Sequence, residues 1–451
     1  MTIAKRVTAT TAAVLLSASL SIAPAVAQEE DERARRDAQE TKQAQAVSKE
    51  IYDRIQQAQE LVDGKDYNGA LRILESLRAK DSLSDYERQN VLNYVGFVYY
   101  NMDRIPDAMR VYDEMLQIPT MEPAFRKSTV YTLAQLNTME ENYTRALQLL
   151  DEFFTLETNP SSEQYILYAQ NLYQMERYAD MISPIETAMR VAEEREKEVK
   201  EDWWVLLNFA YFQQENYGKV RDIQKTLLAT WPKKRYWFQL AGAFTELGED
   251  ENLIYAYDLA HTQNLLEKES EFVTMAQLYM QADVPYKAGS LLASEMESGR
   301  VSGEAKNYRL LSQAWSLSAE DERAIPALQA AAQGSSDGEM DVRLGNAYLN
   351  LGQYENCAES VRAGINKGGL KSEDNAQISL GMCLYNLKQY NSARNAFRAA
   401  AQERRSQRIA NQWISVIDSD VERNEQIRLA EAAARRQAEE LEKRRAREGR
   451  I

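Results

Sequence analysis

An all-α solenoid, a right-handed superhelix of about ten helix-turn-helix repeats, is the fold class this sequence predicts, and three observations carry it. The first is a recurring spacing. In LNYVGFVYYNMDRIPDAMRVYDEML, Gly96 stands three residues before Tyr99 and twelve before Ala108, and the same spacing returns along most of the chain. The second is that other positions move with it, so the register rests on several slots together. The third is composition: 18 Gly and 9 Pro give too little punctuation for a sheet protein, and 44% hydrophobic residues are too many for a disordered chain.

Taken in order, the chain opens on Lys5 and Arg6, an apolar run around AAVLLSASLSIAP, and Ala25-Val26-Ala27, the pattern of a secretory signal peptide over residues 1–27, cleaved after Ala27. No Cys follows the cut and no later segment is apolar enough to span a bilayer, so the expected location is the periplasm of a two-membrane cell. Residues 28–48 read as a charged, flexible lead with nothing to bury. The solenoid is expected over 49–403, a capping helix carrying Trp413, Ile414, Val416 and Ile417 over 404–421, and a charged helical tail over 422–451. In that tail Ile427, Ala434 and Leu441 stand seven apart, a faint coiled-coil pattern in what otherwise reads as a solvated single helix.

The small slot of each second helix holds Ala70, Ala108, Ala146, Met181, Val220, Leu253, Ala288, Ala324, Cys357 and Ala393, which sets units of 33 to 39 residues. That interval brackets the thirty-four residues of the tetratricopeptide repeat, TPR. Tyrosines recur three before the slot (Tyr67, Tyr143, Tyr178, Tyr217, Tyr354, Tyr390), and small residues recur in the first helices (Ala58, Gly96, Ala134, Ala169, Gly345, Gly381). Small residues let two helix backbones approach, and a broad apolar stripe such as Leu92, Val95, Val98 and Tyr99 then has to be covered by the neighbouring unit. The middle units, with Met181, Val220 and Leu253 in the slot, fit least well. Pro106 and Pro285 suit the first turn of a second helix, whereas Pro184 and Pro326 lie further in and predict a late helix start.

The chemistry-bearing signals are few. A net charge of −15, about −17 once Lys5 and Arg6 leave with the signal, repels phosphate backbones and argues against nucleic acid. The single histidine, His261, reads as a packing residue, and no phosphate-cradling loop, nucleophile elbow or metal-ligand spacing occurs, so neither an enzyme nor a cofactor is expected. Cys357 and Cys383 fall on helices that pack side by side in such an array. They are either a disulfide of an exported protein or two small buried residues.

First helices line the concave side of a TPR array, and the slots exposed there carry Asn93, Phe97, Tyr100, Asn101, Tyr131, Gln135, Gln170, Tyr173, Phe209, Phe212 and Gln213. Aromatic bodies with amide neighbours suit an extended peptide, whose backbone needs hydrogen bonds and whose side chains need apolar pockets.

The stretches WPKKRYWFQLAG, VPYKAGSLL and GGLKSEDNAQISLGMCLYNL, together with ANQWISVIDSDVERNEQI, resemble exported TPR proteins encoded with TonB/ExbB/ExbD energy-transducing systems in Gram-negative bacteria. The resemblance covers nearly all of the mature chain. It implies a non-catalytic periplasmic scaffold, an accessory of TonB-dependent outer-membrane transport whose partner is a protein or peptide, the TonB, ExbB and ExbD components of that system included. It carries over no binding residues, and the arginine- and glutamate-rich tail departs from it. The alternative is an envelope-assembly adaptor for outer-membrane protein insertion, polysaccharide export or cell-wall synthesis.

Overall fold

The computed structural model describes residues 47–448; the expected signal peptide and residues 28–46 of the expected lead lie outside the described residues. Among the described residues every regular element is a helix. The chain divides into two compact units, one ending at Gly248 and one beginning at Glu249. The first contains α1 (Lys49–Asp63), α2 (Tyr67–Arg78), α3 (Asp85–Asn101), α4 (Ile105–Leu116), α5 (Pro123–Met139), α6 (Tyr143–Leu156), α7 (Ser162–Gln174), α8 (Ile182–Glu194), α9 (Glu201–Gln213), α10 (Tyr217–Thr230) and α11 (Lys234–Leu247). The second contains α12 (Asp250–Thr262), α13 (Glu269–Gln281), α14 (Pro285–Glu297), α15 (Ala305–Leu317), α16 (Asp321–Gln333), α17 (Glu339–Asn350), α18 (Tyr354–Lys367), α19 (Glu373–Asn386), α20 (Tyr390–Ala400) and α21 (Gln407–Glu448).

The repeat is written into the turns as well as the slots. Two residues before each second helix, or before Tyr178 in the α7–α8 turn, the backbone enters the left-handed region. Gly248 and Gly352 do so, and so do Lys65, Asp103, Glu141, Glu176, Glu215, Asp283, Ala319 and Lys388, with φ between +56° and +62°. The next amide reaches back five residues, as in Arg104 N–H to Tyr99 O (3.0 Å), Arg177 to Leu172 (2.9 Å) and Asn216 to Tyr211 (3.0 Å). That is the Schellman closure, which satisfies a helix's last carbonyls and turns the chain back. Non-glycine residues accept it at a cost of about 1–2 kcal/mol each. The middle units share it, so Met181, Val220 and Leu253 mark true repeats whose slots admit larger side chains.

All ten slot residues are buried, none more than 7% exposed. Except for Met181, each is the fourth residue of its helix. Within a pair the helices run antiparallel: Gly338, just before α17, donates to Gly368, just after α18 (2.9 Å), while Gly345 lies against Val361. At Gly96 and Gly381 the close approach is to an aromatic: a Cβ would stand 2.6 Å from the Tyr112 ring and 2.7 Å from the Phe397 ring. The glycine is therefore the seat of the facing aromatic. This is a TPR-like α-solenoid.

A second periodic device clasps successive repeats. An acidic residue in the first turn of a first helix reaches one repeat ahead, to the loop or helix start that follows. Glu163 pairs with Lys200 (3.6 Å), and Glu201 with Lys233 and Arg235 (both 2.6 Å). Glu269 accepts from Asn307 (2.8 Å) and Ser302 Oγ (3.0 Å), and Glu339 from the Lys371 amide (2.6 Å). Asp374 accepts from Arg405 Nε (2.7 Å) and Ser406 Oγ (2.5 Å).

The hydrogen bonds from Arg405 lead in holding the Asp374 carboxyl down at about 2, with burial opposing and Ser406 assisting. In the unfolded chain such a carboxyl titrates near about 4. Above that pH both states are ionised and the clasp contributes fully. Between about pH 4 and pH 2 the unfolded state takes up the proton first, so stability falls with pH. Asp374→Asn is therefore expected to flatten the acid limb of the stability curve of the C-terminal repeats, measured by denaturant titration from pH 6 down to pH 2. An unchanged limb would remove the clasp from the account.

Three sequence expectations are corrected or refined. The second helix at Pro184 does start late, at Ile182, with Tyr178 to Met181 left in a turn. At Pro326 it does not: α16 begins at Asp321 and keeps Pro326 inside, so the Glu322 carbonyl goes without its usual amide. At the C-terminus one 42-residue helix, α21, runs unbroken across residue 421, where the sequence places a boundary between cap and tail. The physical reason is that no Gly or Pro lies between Gln407 and Glu448 to end the helix. Only its first part packs, through Ala410, Trp413, Ile414 and Ile417; beyond Asp420 every side chain described is exposed.

Candidate functional site

The first helices α3, α5, α7 and α9 of the first unit carry the residues the sequence assigns to a binding face. Each presents its buried stripe to neighbouring helices, which leaves the remaining positions to form a surface. The structure sorts the eleven assigned residues into three groups.

Tyr131 and Gln135 on α5 turn inward. Tyr131 packs on Phe153 with ring centroids 4.9 Å apart, and burial pushes its hydroxyl up to about 12. Gln135 is only 9% exposed, because the middle of α5 from Leu133 to Asn137 is covered on nearly every side. Gln135 therefore does not line an open face. Tyr100 is half-buried against the core of the first repeats.

Asn93, Phe97 and Gln170 are half-buried, while Asn101 and Gln213 are exposed. The Asn101 amide donates to the Phe97 carbonyl of its own helix (2.8 Å), so one of its donors is committed.

Tyr173, Phe209 and Phe212 form the third group, and they are drawn together with two tyrosines that the sequence supplied only as register marks. The rings of Tyr173, Tyr178 and Phe209 meet pairwise at 5.1 to 6.0 Å, two of the three contacts edge-on. One turn further along α9, Phe212 meets Tyr217 at 6.0 Å, edge-on, and is 38% exposed. Tyr178 and Tyr217 open or precede second helices, so the same position that closes each turn also brings its ring against the end of the preceding first helix. Burial, with nearby carboxylates adding to it, raises both hydroxyls above the ordinary tyrosine value. The signal was available: both tyrosines fall at the repeat-fixed slot beside the first-helix C-terminus.

A groove of about 310 Å³ on α8, α9 and α10 went unread in the sequence. Trp204 and Tyr211 line it beside Glu186 and Lys219. The Tyr211 hydroxyl donates to Glu186 (2.7 Å), and burial together with that carboxylate pushes it up to about 12. Its rim mixes both signs of charge, so it favours no ligand of one charge.

Among the described residues no group of three or more His, Cys, Asp or Glu is placed to hold a metal ion, and no helix is long and apolar enough to cross a membrane. His261 lies edge-on to Phe272 (6.1 Å) with Nε2 3.7 Å from the Glu295 carboxylate, which Arg300 also holds. The structure also brings Cys357 and Cys383 together, with Cα atoms 5.9 Å apart and both side chains fully buried.

No family model and no curated protein matches this chain. Solved structures similar to parts of it include a tetratricopeptide repeat protein from Parabacteroides merdae ATCC 43184, 13% identical over 59% of this chain and 99% of that one, with a TM-score of 0.35. The TPR2AB domain of yeast Sti1 in complex with pHSP90 is 16% identical over 58% of this chain and 98% of its own, with a TM-score of 0.33. MamA from Desulfovibrio magneticus RS-1 is 14% identical over 41% of this chain and 96% of its own, with a TM-score of 0.34.

Proposed function

We propose that this protein is an exported, non-catalytic TPR scaffold that holds a protein or peptide partner on the first-helix face of its first unit, as a periplasmic accessory of TonB-dependent outer-membrane transport. The observation that carries the binding face is the aromatic ledge of Tyr173, Tyr178, Phe209, Phe212 and Tyr217, with the exposed amide of Gln213 beside it. Rings held by one another present apolar area at little entropic cost, and a neighbouring amide offers the hydrogen bonds that an extended backbone requires. The signal-like N-terminus and the resemblance of WPKKRYWFQLAG and its companion stretches support the cellular setting.

The test is crosslinking in living cells followed by recovery of the protein. Wild type is expected to bring down a TonB-system component, and the double substitution Phe209→Ala, Phe212→Ala to lose at least about 2 kcal/mol of binding, roughly thirtyfold, while remaining folded. Recovery of assembly or wall-synthesis enzymes in place of TonB-system components would transfer the protein to envelope assembly. Unchanged affinity in the double variant would remove this face.

A further inference from the structure

The tail of α21 is a long helix with nothing to rest on. From Val421 onward its described side chains are all exposed, including Ile427 at 50% and Leu441 at 51%. At about 1.5 Å per residue this free part is roughly 40 Å long, far more than a cap on the last repeat needs.

Five of its apolar residues follow a symmetric order, while Leu429, Ala432 and Ala433 lie on other sides of the helix. Ile427, Ala430, Ala434, Ala438 and Leu441 are spaced three, four, four and three apart. With about 100° of rotation per residue they fall within about 40° of Ala434 on either side, a single seam centred on that alanine. A seam that reads the same in both directions is self-complementary when turned end for end. Against a second antiparallel copy, Ile427 meets Leu441, Ala430 meets Ala438, and Ala434 meets itself on the two-fold axis. The small central residues let the backbones close in, and the two larger side chains seal the ends.

The flanking charges suit the same arrangement, with an opposite-charge pair close to the central alanine. In the antiparallel register Glu431 of each copy lies beside Arg435 of the other, giving two opposite-charge pairs related by symmetry. In a parallel register with Ile427, Ala434 and Leu441 facing their own copies, the flanking neighbours five residues apart are Gln426 with Glu431, Ala433 with Ala438 and Glu440 with Arg445, so opposite charges meet only at the far end of the seam and its centre has no such pair. Arg423 and Arg445 occupy the seam direction just outside Ile427 and Leu441, so the pairing is bounded at about four turns.

We infer that α21 is a self-association element: a second copy of this chain covers the 427–441 seam, antiparallel and centred on Ala434. A seam this short with alanine at its middle buries little area, at or below the ~1,200 Å² of weak interfaces, so the dimer is reversible and concentration-dependent. The inference stands apart from the partner face proposed for the first unit.

The test is sedimentation velocity on the full mature chain over a range of concentrations. The expected result is a monomer–dimer shift that Ala434→Glu abolishes, because two carboxylates then meet on the axis, with the circular dichroism unchanged since this position touches nothing in the monomer. Glu431→Arg is expected to weaken the dimer about tenfold, and adding Arg435→Glu to restore it. For orientation, a mixture of Ala430→Cys and Ala438→Cys chains should crosslink on mild oxidation. A monomer at every concentration, a dimer indifferent to Ala434→Glu, or Ala430→Cys chains crosslinking chiefly to one another would each overturn the inference.

Discussion

Replacing Phe397 by alanine is expected to release the C-terminal end of the second unit at a cost of about 3–5 kcal/mol, the range for emptying a buried aromatic site. Phe397 is fully buried. Its ring lies flat on Trp413 of α21 with centroids 5.6 Å apart, and covers Gly381 of α19 on the other side. Three helices therefore share one side chain. Trp413 in turn meets Tyr385 edge-on at 5.3 Å, and the Tyr385 hydroxyl donates to Asp420 (2.5 Å), so the cap is seated by a chain of contacts that begins at Phe397. The cavity cannot close cheaply, because the floor beneath the ring is a glycine with no side chain to move in.

The way the loss appears should be as informative as its size. In a stacked array each repeat touches only its neighbours, so a terminal repeat opens on its own when its single interface weakens. Hydrogen exchange followed by mass spectrometry should show α20 and the packed part of α21 losing at least about a hundredfold in protection, with α13 to α17 keeping theirs. Uniform loss across both units, or a change under about tenfold, would mean that Phe397 is not the joint described.

Much of the fold was legible because close packing leaves a strong mark in sequence. A slot that must admit a facing backbone tolerates few side chains, so Ala70, Ala108 and Ala393 announce it, and the register carries through to the units that break the rule. The ten left-handed turns left almost no mark. Only Gly248 and Gly352 sit at them as glycine; the others are Lys, Asp, Glu or Ala, residues that read as helix or surface. The acidic clasps were equally silent, because Glu163, Glu201, Glu269 and Asp374 are carboxylates in first turns, where a solvated or dipole-stabilising role already accounts for them.

The surface of the first helices was legible in outline and blurred in detail. On α5 the assigned residues turn inward, since Tyr131 packs on Phe153 and Gln135 lies in a stretch covered on nearly every side, and that is a property of packing between repeats. Tyr178 and Tyr217 were hidden by being regular: a residue that recurs at a fixed slot looks structural, and here the same rings also build the ledge. The merged C-terminal helix has a simpler reason. A change from apolar to charged composition marks where packing stops, and a helix can continue past that point wherever no residue breaks it.

The second large effect concerns Cys357 and Cys383. Their separation of 26 residues joins the small slot of α18 to the last turn of the next first helix, α19, with Cα atoms 5.9 Å apart, inside the span that a disulfide bridges. Closing a loop of this length adds roughly 3 kcal/mol in the chain-entropy model, directed at the interface between those repeats. Protein recovered from an oxidising compartment without reductant, then denatured, is therefore expected to show no titratable thiol, and reductant should lower the stability of the last repeats by about that amount. Two thiols in the unreduced, denatured protein would sink the bond. The double substitution Cys357→Ala, Cys383→Ala separates covalent linkage from packing. Alanine already fills the corresponding slot at Ala70, Ala108, Ala146, Ala288, Ala324 and Ala393, so the lost volume at Cys357 costs little. A fall in stability matching that caused by reductant then belongs to the bond, and a variant as stable as the oxidised parent shows two small side chains that merely touch.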